Sequence, residues 1–342
     1  MSKKDIVEKS GEMYLGGLIG NYSGTLALIS NERGEILGYG IAGPSNHHLV
    51  GISAAVNAIR SSILDAMIRS RLGFKQINCL TLGLAGLDTR YDIELISSQL
   101  KYRLPAKTVI LRDNSEIALA GALAGEPGIV VISRTGSIAA GMDSAGRYIR
   151  CGGWGYLLGD EGSSYDIGLQ AIRAALREYD GRGESTRLTE LIVKELGIEN
   201  VEDLIRLAYI EKKLDLGRIS SLADLVIKAA IEGDHVARHI LKRAAISLAE
   251  MAEAVIKRLY LDEVLEEIKV AVVGKVFEVE DLILDPFKNY LYEKFKNVVV
   301  VKPRFPQVVG ALIISYRHTG IKITSELLEN IERTLKRIPY TF

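Results

Sequence analysis

Short apolar runs separated by polar turns fill the first third of the chain, and this pattern is typical of β-strands. The turn at residues 31–34, Asn-Glu-Arg-Gly, has the composition of a hairpin connection. Beyond residues 43–46 the apolar spacing becomes helical, through Ile52, Val56 and Ile59. The pattern predicts five strands, of which the first three form an antiparallel meander, at residues 13–18, 25–30, 35–41, 79–85 and 108–111.

The same succession of strands and turns occurs a second time, beginning at Gly128. One turn joins the apolar runs at residues 129–133 and 138–142, and a second turn leads to residues 147–150. A repeated order of elements indicates an internal duplication, and a cleft between similar domains is a preferred place for a ligand. The sequence therefore predicts an α/β fold with two related domains and a central cleft.

Amphipathic helical spacing dominates the rest of the chain. The longest such stretch, residues 219–260, is interrupted by Glu-Gly-Asp at residues 232–234. Two β-branched runs, at residues 269–273 and 297–301, predict further strands. Shorter helices are predicted at residues 188–196, 201–209, 309–316 and 326–336. The last of these helices is expected to fold back on the first domain.

The balance of charge excludes two classes of partner. The 342 residues include 43 lysines and arginines and 43 aspartates and glutamates, so no net field attracts nucleic acid or an anionic membrane surface. A small molecule or another protein is the expected partner. Cys79 and Cys151 stand in apolar or glycine-rich surroundings, which are typical of reduced, packed thiols. Because the amino terminus lacks the apolar core of a signal peptide and no apolar run approaches about 20 residues, a soluble cytoplasmic protein is predicted.

Residues 152–168, GGWGYLLGDEGSSYDIG, combine many glycines with an isolated acidic pair, Asp160 and Glu161. Glycine clusters mark places where the backbone approaches a ligand or turns sharply. A tight connection between a strand and a helix would also account for the glycines. The one tryptophan of the chain, Trp154, and the two carboxylates favour a site for a polar ligand.

Six motifs in a fixed order give the chain a resemblance to a known family. The motifs are LGLAGLDT (82–89), GIVVISRTGSIAAG (128–141), the glycine-rich stretch, REYDGRG (177–183), IEGDHVARHIL (231–241) and VVGKVF (272–277). They resemble the family that unites N-acetylglucosamine kinases, some archaeal hexokinases and BadF/BcrA-type ATPases, within the actin, hexokinase and Hsp70 superfamily. This ordered set is much more specific than any single glycine motif.

The resemblance implies two ribonuclease-H-like domains. The first would comprise residues 1–122 with a returning helix in residues 310–342, and the second residues 123–309 with a helical insertion. ATP and Mg²⁺ would be held by hairpin loops from both domains, a sugar would bind deeper in the cleft, and the chain would form a homodimer. Phosphoryl transfer there needs donors around the phosphates, a carboxylate that organises the metal ion, and a carboxylate that accepts the proton of the sugar hydroxyl.

The first phosphate loop departs from the family pattern, Gly-φ-Asp-x-Gly-Gly-Thr-x-Thr. Ile19 stands in place of the aspartate, and Asn21 and Tyr22 stand in place of the two glycines. An isoleucine side chain cannot bind a hard cation. Ser23 and Thr25 keep hydroxyl groups that suit phosphate, although both are also ordinary turn and strand residues.

The other two nucleotide loops also differ from the family. The second phosphate loop resembles Gly-Thr-Gly-Ser, but Arg134 occupies its first position, where it would fill the phosphate space or bind an anion through both guanidinium nitrogens. In the adenosine loop Lys275 replaces a second glycine after Gly274, so its side chain would obstruct the purine or extend to solvent. The nucleotide contacts that the resemblance implies are Ser23, Thr25, Thr135, Gly136, Ser137 and Gly274.

The general base is also altered. The family pattern Asn-Asp-Ala aligns with Asp113, Asn114 and Ser115, which places an amide where the carboxylate is expected. An amide is not a useful proton acceptor, but a shift of one residue at the strand end would bring Asp113 into that position. Asp113 and Asn114 are therefore the candidate catalytic residues. The same segment also forms a good helix N-cap.

The sugar side matches the family better. Asn46 aligns with a residue that hydrogen-bonds the sugar, and Trp154 and Asp160 align with residues that line the same pocket. Core packing is the alternative role for Trp154. The alternative role for Asp160 is to cap a helix that begins near Ser163.

Two histidines follow Asn46 directly. No cysteine or carboxylate accompanies His47 and His48 at the spacing of metal ligands, so the sequence predicts no metal site there. A solvated pair at the rim of the sugar pocket is expected.

Three hypotheses account for these features. In the first, the protein is a sugar-kinase relative that keeps a pocket for a sugar or sugar-like metabolite and has an impaired ATP phosphotransfer site, which explains all the departures together. In the second, it is an active ATP-dependent hexose or N-acetylhexosamine kinase that uses Asp113 as its base. The third, an activase-type ATPase, is disfavoured because Cys79 and Cys151 lack the arrangement that holds an iron–sulfur cluster.

Overall fold

A computed structural model describes residues 12–21, 24–73, 76–87, 89–100 and 103–338. The chain divides into two compact units, the first formed by Met1–Gly125 with Arg304–Phe342 and the second by Glu126–Pro303. The sequence-based boundaries, after residues 122 and 309, differ from this division by three and six residues. The second unit is thus one continuous segment, whereas the first needs both ends of the chain.

The described residues form ten strands in two mixed sheets of five. In chain order the strands are β1 (Tyr14–Gly20), β2 (Thr25–Asn31), β3 (Ile36–Ala42), β4 (Ile77–Leu84), β5 (Ala106–Arg112), β6 (Gly128–Ser133), β7 (Ser137–Met142), β8 (Tyr148–Gly152), β9 (Ile268–Val273) and β10 (Val298–Val301). Their order is β3-β2-β1-β4-β5 in the first unit and β10-β9-β6-β7-β8 in the second.

Each sheet consists of an antiparallel meander extended by two parallel strands. In the first sheet β4 and β5 run parallel to β1, and in the second β9 and β10 run parallel to β6. The predicted α/β fold and the predicted repetition of the element order are confirmed.

Helices connect and cover these sheets. Among the described residues the α-helices are α1 (His47–Val50), α2 (Ile52–Ser70), α3 (Arg90–Leu100), α4 (Asn114–Ala122), α5 (Ser164–Tyr179), α6 (Leu188–Leu196), α7 (Asp203–Ile205), α8 (Leu216–Ser221), α9 (Ala223–Ile231), α10 (His235–Leu259), α11 (Leu261–Val264), α12 (Asp285–Lys294), α13 (Gln307–His318) and α14 (Ser325–Leu335). Short π-helical and 3₁₀ turns occur at Arg206–Ile210, Glu280–Leu284 and Lys275–Glu278.

Two helix predictions need correction. The helix predicted at residues 201–209 is the short α7 followed by a π-helical turn. In the stretch predicted at residues 219–260 the break at residues 232–234 is confirmed, since Asp234 caps the start of α10 after Gly233, whose φ is 97°, but the part before this break is two helices, α8 and α9, instead of one.

Helices cover both faces of the first sheet, so β1 is buried along its whole length. Leu15 and Ile19 point to the face that carries α13 and α14, whereas Tyr14 and Leu18 point to the face that carries α2 and α3. This alternation follows from the two-residue period of a strand. It explains why the segment reads as a continuous apolar run.

Helix α13, which follows the second unit in the sequence, completes the first unit. The Ser315 hydroxyl donates to the Gly16 carbonyl oxygen at 2.8 Å, and the Tyr316 hydroxyl donates to Ser30 Oγ at 2.6 Å. Both side chains are buried against strands that lie about 300 residues earlier in the sequence. The predicted return of the last helix, α14, to the first unit is also observed.

The second unit has one apolar core. The long helix α10 lies at its centre and packs with α5, α6, α9 and α12 against the sheet. Twelve of the 25 residues of α10 are buried, which fits a helix contacted on most sides. Within the described ranges, no helix has both the length and the apolarity that a membrane span requires.

Candidate functional site

The carboxyl ends of β1, β3, β4 and β5 lie at one edge of the first sheet, because these strands run in the same direction. The loops after β3 and β5 carry Asn46, Asp113 and Asn114, and β2 begins at this edge with Thr25. In open α/β sheets this edge is where ligands bind. The structure therefore brings the described candidate residues of the first unit, Thr25, Asn46, Asp113 and Asn114, to one edge.

Asp113 is the N-cap of α4. Its carboxylate accepts hydrogen bonds from the backbone N–H of Ser115 at 2.7 Å and from the Ser115 hydroxyl at 2.6 Å, so the predicted capping role is confirmed. Nearby, burial raises the pKa of Glu116, although Arg112 lies 3.1 Å from that carboxylate. The Asp113 carboxylate is thus engaged in fixing the start of the helix.

Asn114 is the side chain that lies at the ends of the central strands. With its amide oriented to match its neighbours, it donates to the Gly83 carbonyl oxygen at 3.2 Å and accepts from the Ala85 N–H at 3.1 Å. Asn21 lies beside it, after the end of β1. An ionised carboxylate at residue 114 only accepts hydrogen bonds, so it could not donate one to the Gly83 carbonyl oxygen. These surroundings therefore match an amide.

Asn46 is buried at the start of α1. Its Oδ1 accepts a hydrogen bond from the His48 N–H at 3.0 Å, so it caps the helix. It also lies against Gly86 in the loop after β4, where an added Cβ would be 3.0 Å from Asn46 Oδ1. Since the oxygen is used by the cap, the NH₂ group is the part of Asn46 that can donate to a ligand.

The described part of the first phosphate loop offers little for a nucleotide. The Thr25 hydroxyl donates to the Gly43 carbonyl oxygen at 2.8 Å, so its proton is used within the fold. Ile19 is buried in the apolar cluster under α13. Ser23 and Tyr22 lie outside the described residues. The described residues do not fit Mg²⁺ at this position, because Ile19 has no ligand atom.

His47 and His48 share a carboxylate from a distant part of the sequence. The Nε2 atoms of His47 and His48 are 3.1 and 3.3 Å from Oδ1 of Asp92, in the first turn of α3. Burial would raise the pKa of Asp92, but hydrogen bonds from Thr89 and His47 hold it below its ordinary value. His47 is buried and His48 is exposed. The expected solvated pair is therefore wrong for His47.

Three loops meet at the carboxyl ends of β6 and β9 in the second unit. They are the turn at residues 134–136, the segment 160–163 and Gly274. The hydroxyls of Ser133 and Ser137 donate to backbone carbonyl oxygens of the segment, at 2.8 and 2.7 Å. An added Cβ at Gly274 would be 1.9 Å from the Ser133 carbonyl oxygen, so only glycine fits there. Thr135, Gly136, Ser137, Asp160 and Gly274 are thus brought together.

Asp160 is a buried carboxylate in the left-handed backbone region, with φ 63°. Its Oδ1 accepts from the Ser137 N–H at 3.3 Å, and an added Cβ at Gly136 would be 2.8 Å from its Oδ2. A backbone of this kind costs about 1–3 kcal/mol and is enriched at functional sites. The alternative role as a helix cap is wrong, because the Ser163 hydroxyl caps α5 by accepting from the Asp166 N–H.

Of the three bulky side chains that replace glycines in the nucleotide loops, the structure describes Arg134 and Lys275, and Tyr22 lies outside the described residues. Lys275 Nζ is 2.8 and 2.7 Å from the carboxylate oxygens of Asp224, and both side chains are largely exposed. Lys275 therefore extends to solvent, which was the alternative to obstructing the purine. Arg134 is exposed, but an added Cβ at Gly274 would be 3.2 Å from its Cγ. The aliphatic part of the Arg134 side chain thus lies next to Gly274 of the adenosine loop.

Trp154 is 65% exposed, so the alternative role in core packing is wrong. The Arg150 guanidinium carbon lies 5.2 Å from the centre of the indole ring, a cation–π distance. Tyr156, Leu157 and Leu158 of the same loop are exposed as well. An aromatic face in this position is available to a ligand.

Sequence reasoning missed two polar groups at the edge of the first sheet. Asp92 is one, and its only local signal is the spacing Thr89-x-x-Asp92, which forms a capping box with reciprocal hydrogen bonds of 3.0 and 3.2 Å. The other is Ser45, whose Oγ is buried beside Gly20 with no partner among the described residues. No pattern in the sequence distinguishes that hydroxyl.

Known proteins resemble this chain over most of its length. A profile of the BadF/BadG/BcrA/BcrD ATPase family matches residues 23–315. An N-acetylmuramic acid/N-acetylglucosamine kinase from Clostridium acetobutylicum is 33% identical over 305 residues, which are 88% of this chain and 98% of that protein. An N-acetyl-D-glucosamine kinase from Dictyostelium discoideum is 29% identical over 315 residues, 90% of this chain and 98% of that protein.

Solved structures resemble it too. A candidate N-acetylglucosamine kinase from Chromobacterium violaceum has a TM-score of 0.71 at 26% identity and covers 88% of this chain and 98% of its own. A ROK family glucokinase from Streptomyces griseus, in complex with glucose and AMPPNP, has a TM-score of 0.50 at 16% identity, with 90% and 100% covered. At 16% identity, the similarity to the glucokinase shows a shared fold and nothing more.

Proposed function

The chain belongs to the BadF/BadG/BcrA/BcrD ATPase family, and we propose that it is a sugar-kinase relative that binds an amino sugar but transfers phosphate poorly. The observation that carries the proposal is the position of Asn114. This amide, and not the neighbouring carboxylate, lies at the strand ends where the family resemblance places the general base.

The cost of an amide at that position is large. General base catalysis contributes about 10²–10⁴-fold to the rate of such a step. Asp113 is one residue away, but its carboxylate holds the start of α4 through two hydrogen bonds to Ser115. Proton transfer from the sugar hydroxyl therefore has no acceptor at residue 114.

The proposed ligand is N-acetylglucosamine or a related amino sugar. This choice is supported by the relatives from Clostridium acetobutylicum and Dictyostelium discoideum, which are named as kinases of such sugars. In the first unit Asn46 can donate to a sugar hydroxyl, and in the second unit Asp160 can accept from a hydroxyl and Trp154 can offer an aromatic face to a sugar ring, each considered by itself. The homodimer that the family resemblance implies stays a prediction.

Nucleotide binding is proposed to be weak for a separate reason. The turn with Thr135 and Gly136 suits phosphate oxygens through the Thr135 hydroxyl and backbone donors, whereas the hydroxyl and N–H of Ser137 donate within the fold, to Glu161 and Asp160. Ile19, however, stands where a carboxylate would organise Mg²⁺, and it is buried among apolar side chains. ATP would therefore bind without that part of its metal site.

An active kinase is the second candidate, and one observation favours it. Lys275, expected to obstruct the purine, is paired with Asp224 and largely exposed. In this alternative ATP and Mg²⁺ are cofactors, and Asp113 leaves its cap to accept the proton. The two candidate functions therefore differ at these positions. In the active kinase Asp113 is the base, whereas in the impaired relative Asn114 stands in place of the base and Asp113 serves only as a helix cap.

Two matched substitutions separate the candidates. Calorimetric titration with N-acetylglucosamine is expected to show binding, and a phosphotransfer assay with Mg-ATP is expected to show little turnover. Asn114→Asp should raise kcat by about 10²-fold or more, because it restores a base. Asp113→Asn should leave the residual rate unchanged, since asparagine caps a helix as well as aspartate does.

The opposite pattern would support the active kinase. In that case the wild type turns over readily, Asp113→Asn loses most of its kcat, and Asn114→Asp gains nothing. If no amino sugar binds to the wild type, the sugar part of the proposal fails. Circular dichroism of both variants checks that α4 remains folded.

A further inference from the structure

Two imidazoles and one carboxylate converge beside Asn46 in the first unit. One ring nitrogen from each of His47 and His48 and one carboxylate oxygen of Asp92 all lie within 4.8 Å of one another. The histidine nitrogens are 3.1 and 3.3 Å from Asp92 Oδ1. With bonds of about 2.0–2.1 Å, two ligands of tetrahedral zinc are separated by roughly 3.3 Å. The two nitrogen–oxygen distances match that separation.

Hydrogen bonds from Thr89 fix the orientation of the Asp92 carboxylate. The Thr89 N–H and hydroxyl donate to Asp92 Oδ2 at 3.0 and 2.5 Å, which leaves Oδ1 facing the two imidazoles. Metal ligands in proteins are commonly oriented by a second set of partners of this kind. Thr89 would therefore be a positioning residue for a bound ion.

The three side chains differ in exposure to solvent, and this difference gives the cluster two fixed ligands and an entry path for an ion. The side chains of His47 and Asp92 are each 5% exposed, whereas that of His48 is 57% exposed. A metal site needs fixed ligands and an entry path from solvent. The exposed edge of His48 provides the path, and the two buried groups provide the fixed ligands.

We propose that His47, His48 and Asp92 bind one divalent transition metal ion, with zinc as the ion to test. Two histidine nitrogens and one carboxylate are an established zinc ligand set with an open fourth position. The bound ion would connect the loop after β3 to the start of α3 and so fix Asn46 at its cap. The site does not depend on phosphotransfer or on the identity of the sugar.

A simpler arrangement competes with this proposal. Each imidazole can donate an Nε2–H to Asp92 Oδ1, which gives a hydrogen-bonded cluster without a metal ion. Zinc binding requires both protons to move to the Nδ1 atoms, so that the Nε2 lone pairs face the ion. Metal titration distinguishes the two arrangements directly.

The experiment uses untagged full-length protein freed of metal by chelator dialysis. Zn²⁺ is titrated in competition with a chromophoric chelator, and Co²⁺ is used as a spectroscopic probe of the ligand geometry. We expect about one ion per chain, with a ligand-field spectrum of tetrahedral type. His48→Gln should weaken Zn²⁺ affinity by at least about 100-fold without unfolding, because this side chain is exposed. Thr89→Val should weaken it by about 10-fold.

The controls use the other histidines of the chain. His235 and His239 are exposed and one turn apart on α10, so they are the main competing Zn²⁺ ligands, and His318 is an exposed single histidine. Replacing each of these three with Gln should change neither stoichiometry nor affinity. Binding that is lost in the His235→Gln/His239→Gln protein but kept in His48→Gln would overturn the proposal. Failure of the wild type to bind Zn²⁺ more tightly than about 10 µM would do the same.

Discussion

At the scale of single residues, the direction of a side chain decides its chemistry. Asp113 and Asn114 are neighbours, yet one caps α4 while the other lies against Gly83 and Ala85. Successive residues at a helix start point about 100° apart, so adjacent positions reach different surroundings. The carboxylate of the pair is used for the fold, and the amide lies at the strand ends, where our proposal expects the base.

Glu253 gives a pH-dependent contribution to the stability of the second unit. Burial would raise the pKa of this carboxyl, but Lys257, Lys294 and Tyr290 hydrogen-bond it and lower its pKa to about 2. A pKa that is depressed in the folded state stabilises the protein above the ordinary value of 4.5, and this stabilisation is lost as the pH falls towards 2. The free energies of unfolding of wild type and Glu253→Gln should therefore draw together as the pH falls from 4.5 and converge only near about pH 2.

At pH 7 we expect the wild type to be more stable than Glu253→Gln by roughly 1–2 kcal/mol, because both lysines are substantially exposed and water screens their charges. Urea unfolding between about pH 2 and pH 7 measures the difference. Glu250→Gln, at an exposed position on the same helix, is the matched control and should follow the wild type. A constant difference between Glu253→Gln and wild type at every pH would be incompatible with this prediction.

At the scale of elements, glycines set how closely helices and strands approach. In the first unit α4 and α13 cross at Gly310, where an added Cβ would be 1.9 Å from the Ile117 carbonyl oxygen and 2.6 Å from the Gly121 N atom. The same crossing brings the Gln307 amide within 2.7 Å of the Asn114 carbonyl oxygen. The distance between these helices thus contributes to the position of the candidate catalytic residue.

Gly310→Ala should destabilise the first unit by about 1–3 kcal/mol or more, because backbone atoms of α4 must move to admit the methyl group. Thermal unfolding followed by circular dichroism measures the loss. The control is Gly217→Ala on α8, where an added Cβ would meet only Asp215 Oδ1 at 3.5 Å. That change should be neutral or slightly stabilising, because alanine favours helix. Equal effects of the two substitutions would argue against a close crossing.

At the scale of the whole molecule, the two units differ in how the chain forms them. The second unit is the continuous segment Glu126–Pro303, with its own core. The first unit buries Leu312, Ile313 and Tyr316 of α13 in a cluster with residues of β1 and β2. Its folding therefore requires a segment that follows the whole second unit in the sequence.

Separate expression tests this difference. Residues 126–303 alone should unfold cooperatively on heating, whereas residues 1–125 alone should not, because they lack α13 and α14. A fusion of residue 125 to residue 304 through a short Gly-Ser linker should restore cooperative unfolding. The linker can be short because the Arg304 N–H donates to the Ala122 carbonyl oxygen at 2.9 Å. Cooperative unfolding of residues 1–125 by themselves would contradict the prediction.

Most of the fold could be predicted from the sequence, but less of the site. The strand patterns and the repeated meander follow from local periodicity, which each segment carries within itself. The break at residues 232–234 could be predicted from its Glu-Gly-Asp sequence, whereas the π-helical turn after α7 and the division between α8 and α9 could not, because amphipathic spacing does not reveal them. The roles of Asp92 and Ser45 could not be predicted, since both depend on contacts between separate elements.

The sequence by itself determined the α/β class, the duplicated order of strands and the family, because apolar periodicity and ordered motifs are properties of neighbouring residues. Tertiary structure alone decided that Asn114 lies at the strand ends while Asp113 caps a helix. It also brought Asp92 to two histidines some 45 residues earlier in the chain. Side-chain direction and contact between distant segments follow from packing, and no local pattern in the chain encodes them.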